Sequence, residues 1–193
     1  MGTVVADDGA EISYTEQGDG RPVVLSYGWP LDAGPWAVQQ RALAARGYRA
    51  VAHDHRRPRS RAPGAAGTVH DTVVDGLARL IGLLDLRDAT LVGYATGGGE
   101  VARHVRRHGT DRLAQIVLVS AVLSSLADLD RFDVPTLVVH GTDDEVVPLA
   151  LGGAQYAERI PRARLLVYAG ASHRLPETHA SRLTTDLLAF LAT

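Results

Sequence analysis

Thr90-Leu91-Val92-Gly93-Tyr94-Ala95-Thr96-Gly97-Gly98-Gly99-Glu100 is the stretch whose reading decides the fold. The apolar run from Ala89 to Val92 enters a tight Gly-x-x-x-Gly turn, and residues 99–108 leave it as a predicted helix. Strand, sharp turn and helix in that order are the context of a G-x-S-x-G nucleophile elbow, which holds its central residue exposed above a parallel sheet. Small residues flank the centre because the backbone of so sharp a turn is crowded. Here the central residue is Ala95. The mount for a nucleophile is present and the nucleophile is not.

Outward from that turn, apolar runs alternate with amphipathic stretches. Residues 3–6 and Glu11–Gln17 read as two short strands joined by Asp7-Asp8-Gly9. Residues 22–26 form a continuous apolar run, as a strand buried on both faces requires. A helix is predicted over 35–46, ended by Gly47, then a strand over 48–52 leading to His53-Asp54-His55. After the Pro/Arg/Gly-rich segment 56–67, a helix is predicted over 71–84, and after the elbow a strand over 115–119. Strands over 136–140 and 163–168 enclose a helix around 150–159. A last helix over 179–191 carries Leu183, Leu187, Leu188 and Leu191 at helical spacing. The pattern predicts one α/β domain over 1–193, with a mostly parallel, doubly wound sheet of about eight strands. In such sheets ligands sit beyond the carboxyl ends of the strands. Tyr27, His53, Ala95, Asp144 and His173 all follow strand ends, so five special positions converge on one rim.

Composition removes several chemistries. The chain has 193 residues, 46% of them hydrophobic, a formal charge of −2 and no cysteine. Disulfides, thiolate catalysis and zinc–thiolate sites are therefore excluded. All basic residues are Arg, which excludes a side-chain Schiff base and a P-loop lysine. The balanced charge shows no preference for nucleic acid or a membrane surface. Neither a signal segment nor a bilayer-spanning run is visible, so a cytoplasmic location is expected.

The motifs in their order resemble the α/β-hydrolase fold superfamily, and within it the cofactor-free haloperoxidase and arylesterase branch. That branch carries patterns like S-H-G-W-P-L, H-D-R-R-G-H-G-R-S, G-x-S-T-G-G-G-E-V-A-R, R-F-D-V-P-T-L-V-V-H-G and G-A-x-H. Here they read Ser26-Tyr27-Gly28-Trp29-Pro30-Leu31, His53-Asp54-His55-Arg56-Arg57-Pro58-Arg59-Ser60, and Gly93 to Arg103 through Ala95. The last two read Arg131-Phe132-Asp133-Val134-Pro135-Thr136-Leu137-Val138-Val139-His140-Gly141 and Gly170-Ala171-Ser172-His173. The chain departs from the pattern at Ala95, at Tyr27 in place of a His, and in its Arg/Pro-rich loop. It also departs at residues 122–132, a short link where the family inserts a helical lid.

The resemblance assigns Asp144 as the acid and His173 as the histidine of a triad, with Asp143 the neighbouring alternative. An Asp beside an imidazole fixes its tautomer and makes it a competent base. By the same resemblance the backbone N–H groups of Trp29 and Thr96 form the oxyanion hole. Thr96 also opens a helix, whose start favours developing negative charge. Tyr27, Gly28, Tyr94 and Leu123 are expected to line the substrate pocket, with Tyr27 a candidate hydrogen-bond donor. No cofactor is implied. A methyl group cannot be acylated, so the usual acyl-enzyme route is closed to the chain as written.

Three readings follow, each of a different class. In the first, His173 and Asp144 perform acid–base chemistry on a bulky hydrophobic small molecule without a nucleophile. Cyclisation, elimination, decarboxylation, rearrangement and water addition are suitable reactions. Methylketone synthase is similar in having Ala at the elbow. In the second, the chain is a serine ester hydrolase or haloperoxidase-like enzyme inactivated by a Ser-to-Ala change at 95. In the third, it is a non-catalytic binding or scaffold protein. The Arg- and Ala-rich composition is compatible with a GC-rich source and with secondary metabolism, an association only.

The remaining polar clusters read as structural. Alternation sends His53 and His55 to one face of an extended segment and Asp54 to the other, so no metal site is expected. Arg56, Arg57, Arg59 and Arg61 read as a solvated loop. Arg103, His104, Arg106, Arg107 and His108 read as helix surface, and His179 as structural. Without a lid, Trp29, Leu31, Leu123, Leu126 and Leu129 are expected beside an open groove. Either a bulky substrate or the second subunit of a homodimer would cover it.

Overall fold

Each apolar run becomes a strand in the computed structural model, which describes residues 1–5, 11–27, 36–53, 69–123, 125–127 and 129–193. The strands are β1 (Gly2–Val5), β2 (Glu11–Gln17), β3 (Arg21–Ser26), β4 (Tyr48–His53), β5 (Ala89–Tyr94), β6 (Leu113–Val119), β7 (Thr136–Gly141) and β8 (Ala163–Tyr168). They form one sheet in the order β1-β2-β4-β3-β5-β6-β7-β8. Pairing is parallel from β4 to β8 and antiparallel only at β1–β2 and β2–β4. This is the eight-stranded, mostly parallel sheet that the alternation predicts.

Why the central strands are apolar at nearly every position follows from their two covered faces. Successive side chains point to opposite faces. Val24, Leu91, Ile116, Leu118 and Val138 enter one core, under α2 (Val69–Leu83), α3 (Thr96–His108) and α4 (Gly153–Arg159). Val23, Leu25, Val92, Val117, Val119, Leu137 and Val139 enter the other, with Trp36, Leu43, Leu183, Leu187 and Leu191. Those last leucines belong to α1 (Ala37–Ala44) and α6 (Ala180–Leu191), which pack on each other.

Three differences from the sequence reading have local causes. The elbow helix begins at Thr96, three residues early, because tertiary contact overrides the poor helix propensity of three glycines. A short helix, α5 (Leu175–Thr178), follows His173, with Pro176 in the first turn where a missing N–H costs nothing. The link over 122–132 holds a 3₁₀ turn at Leu129–Arg131. Leu129 is buried there, and Leu123 and Leu126 pack half-buried against the α2/α3/α4 core. The expected exposure of these leucines at an open groove is thus corrected: the link fills core space. Trp29 and Leu31 lie outside the described residues.

Candidate active site

The site is assembled at the carboxyl ends of β5, β7 and β8. β5 is buried throughout and delivers Ala95 at φ 51°, ψ −124°. Alanine rarely adopts a positive φ, so the turn is strained where an elbow residue is strained. It is also tied down. Ala95 N–H donates to the Val119 carbonyl (3.1 Å), and the Ala95 carbonyl accepts from Gly98 N–H (3.0 Å) and Val122 N–H (2.8 Å). A Cβ on Gly97 would stand 2.5 Å from the Ser26 carbonyl oxygen, and one on Gly98 would stand 2.4 Å from Ala121 Cβ. Backbone approach therefore requires the glycines. Thr96, exposed, opens α3, where the first N–H groups have no partner within the helix.

Asp144 and His173 meet, as their motifs predict. His173 Nδ1 lies 2.9 Å from Asp144 Oδ2 and 3.1 Å from Oδ1. Oδ1 also accepts from the N–H groups of Val146 (3.0 Å) and Val147 (2.8 Å). Burial works to raise the Asp144 pKa. The Val147 N–H, the His173 hydrogen bond and electrostatic interaction with the His173 and His140 rings outweigh it and hold the carboxyl below its ordinary value. Asp143 is exposed and accepts from Thr142 Oγ1 (2.8 Å), so it is not the partner. A carboxylate only accepts, so His173 Nδ1 carries its proton and Nε2 is left as the basic nitrogen.

Tyr27 and Tyr94 were expected to line the pocket. The structure buries both, at 2% and 3% exposure, in a cluster with Trp36. Their rings are 4.8 Å apart, and Trp36 lies 6.1 Å from Tyr27 and 6.4 Å from Tyr94. Tyr94 acts on the site from behind: its hydroxyl donates to the His173 carbonyl (2.9 Å), and its ring lies 5.4 Å from the imidazole. The Tyr27 hydroxyl faces Glu177 Oε1 at 3.5 Å. Burial, then the Glu177 charge, raises its pKa, which makes it a poor acid. Leu123 is half-buried against the α2/α3/α4 core, its N–H facing Tyr156 Oη at 3.4 Å. Gly28 and Trp29 lie outside the described residues, as do Asp54, His55 and the arginines of 56–61.

His53 is buried at the end of β4 with its Nε2 3.9 Å from Glu100 Oε2, and Ser26 Oγ donates to that same oxygen. Among the described residues no group of three His, Cys, Asp or Glu could hold a metal ion. His104, expected on the surface, is 5% exposed. Burial first, then His108, lowers its pKa to about 4. Arg107 and His108 do face outward, sharing Asp75. His179 Nδ1 makes a local contact with Thr178 Oγ1 (2.9 Å), whose hydroxyl donates to the Arg174 carbonyl. Sequence reasoning missed Trp36 and Glu177, which carry no spacing signal, and gave no role to His140, although it lies in the Arg131–Gly141 motif.

Comparison with known proteins agrees with this geometry. The profile of the alpha/beta hydrolase fold family matches residues 121–180. The chain is 34% identical to the non-heme chloroperoxidase CPO-A1 of Kitasatospora aureofaciens over 266 positions, covering 95% of this chain and 97% of that one. It is 34% identical to a non-heme chloroperoxidase of Streptomyces lividans over 275 positions, covering 99% of each. Among solved structures, a bromoperoxidase from Bacillus anthracis is 27% identical and superposes with a TM-score of 0.86 over 100% of both chains.

Proposed function

This chain belongs to the α/β-hydrolase fold family, close to its non-heme haloperoxidases, and we propose that it is an enzyme of that descent working by acid–base chemistry without a covalent intermediate. The observation that carries the reading is the intact His173–Asp144 pair (2.9 Å) at the same rim of the sheet as Ala95, which stands at the family's nucleophile position. With no serine to deprotonate, His173 Nε2 takes a proton from the substrate itself. Negative charge developing on a carbonyl or enolate oxygen is met by the Thr96 N–H and, by family position, that of Trp29. The imidazolium, stabilised by Asp144, returns its proton to the rearranged carbon or to the leaving group. Cyclisation, elimination, decarboxylation and rearrangement share this cycle; in water addition His173 takes its proton from the attacking water instead.

A bulky hydrophobic small molecule, of the kind met in secondary metabolism, is the proposed substrate. The Ala95 methyl leaves space that a serine hydroxyl would crowd. The alignment with the Kitasatospora enzyme spans 266 positions, more than the 193 residues of this chain, so that relative carries insertions this chain lacks. The short link at 122–132 is where a missing lid would fall. A second reading has its own support: the strained backbone of the elbow is retained, as a serine ester hydrolase inactivated by a Ser-to-Ala change at 95 would retain it.

One pair of variants separates them. Ala95→Ser is expected to hydrolyse p-nitrophenyl acetate only slowly, and vigorous turnover with an acyl burst would favour the disabled hydrolase. His173→Ala is expected to abolish the native reaction; unchanged turnover would remove the pair from the mechanism. Ligand binding that survives His173→Ala, with no turnover by either protein, would point to a non-catalytic binding protein.

A further inference from the structure

Asp144 faces a second histidine. His140, at the end of β7, is fully buried, and its Nε2 lies 3.4 Å from Asp144 Oδ2. The same nitrogen lies 2.8 Å from the Val147 carbonyl oxygen. A carbonyl oxygen can only accept, so Nε2 must carry the proton. That N–H is held by the Val147 carbonyl, with Asp144 Oδ2 3.4 Å from the same nitrogen. The other nitrogen, Nδ1, is buried with no hydrogen-bond partner, and a proton there would be orphaned. Both facts put the ring in one tautomer.

The seat of the ring is built by the start of α4. A Cβ on Gly153 would stand 2.8 Å from His140 Cβ, Cγ and Nδ1, and one on Gly152 would stand 3.1 Å from Cε1. Two consecutive glycines thus make room for the imidazole and leave it no space to turn. The groups facing it are Asp144, the Val147 carbonyl and these two glycines. Asp143 and Glu145, on the same loop, are exposed. His173 approaches Asp144 from the site.

We propose that His140 is a positioning residue for the His173–Asp144 pair, an Nε2–H donor that fixes the Val147 turn, whose own N–H holds Asp144, from the buried side. It rests on the reading of that pair as the acid–base centre. Oδ1 is held by Val146 and Val147 N–H groups and Oδ2 by His173, with His140 3.4 Å behind Oδ2, so the carboxylate plane is held against the imidazole. A carboxylate surrounded by donors also stays ionised more readily. The arrangement keeps Asp144 an acceptor while His173 gains and loses its proton.

Nuclear magnetic resonance tests this without any substrate, so failure of the proposed reaction and failure of this inference are distinguishable. In protein labelled with nitrogen-15 histidine, His140 is expected to show a protonated Nε2 and a bare Nδ1. A proton on Nδ1 would overturn the assignment, and this measurement stands even where variants fold poorly. The carbon-13 carboxyl titration of Asp144 is then followed in the parent, His140→Leu and His140→Gln. The leucine variant, lacking the donor, is expected to shift the Asp144 midpoint upward, toward the ordinary carboxylate value. The glutamine variant, which keeps an N–H at similar reach, is expected to stay near the parent. A leucine variant titrating with the parent, or both variants shifting equally, would make the ring a mere spacer.

Discussion

Ala95 shows how a residue's place can outlive its usual chemistry. Its backbone keeps the strained conformation of an elbow although its side chain has nothing to present. The polar groups beneath it are tuned as well. Glu100 sits in the first turns of α3, accepts from Ser26 Oγ, and is pushed up to about 8 by burial, the Ser26 hydrogen bond opposing. In the unfolded chain the same group ionises near ~4.3. Between those values the unfolded state holds fewer protons, so this carboxyl's contribution to stability is full below ~4.3 and is lost as pH rises to about 8. Glu100→Gln is therefore expected to match the parent in acid and to exceed it increasingly toward pH ~8. Thermal melts across that window check this, and parallel curves would contradict it. Asp144 and His173 were legible because each closes a motif in fold order. His140 was not, since its partner lies four residues away on a turn whose geometry no spacing rule encodes.

At the scale of elements, the elbow helix α3 is held by contact rather than by propensity. Its three glycines weaken it as an isolated helix. They let it lie against Ser26 and Ala121 instead, and that closeness sets where the Thr96 N–H points. Gly98→Val is expected to push α3 off the 120–122 segment and destabilise the fold by about 1–3 kcal/mol, read as a lower denaturant midpoint. An unchanged midpoint would mean that α3 can move outward freely. The strands were readable because apolar runs bounded by Gly, Pro and Asp have few other fates. The helix starts at Thr96 and Leu175 were not, because tertiary packing and a first-turn proline decided them.

For the whole molecule, the sheet gathers Ala95, Asp144 and His173 at one rim from three separate strands. No helix among the described residues is long and apolar enough to cross a membrane. A homodimer that covers the site is a proposal. Its support among the described residues is Val146 and Leu151, 66% and 65% exposed beside the Asp144 turn, since the link leucines have gone into the core. Light scattering should give about twice the 20.5 kDa chain mass if the proposal holds; a single-chain mass at high concentration would remove it. Taken by itself, the sequence determined the αβ alternation, the parallel sheet and the elbow, because hydrophobic periodicity and turn chemistry are local; the acid–histidine order came with the family resemblance. Only the tertiary structure decided that Tyr27 and Tyr94 are buried together with Trp36, and that His140 stands against Asp144. Burial and side-chain direction depend on which distant segments arrive to cover a surface, and no local pattern records that.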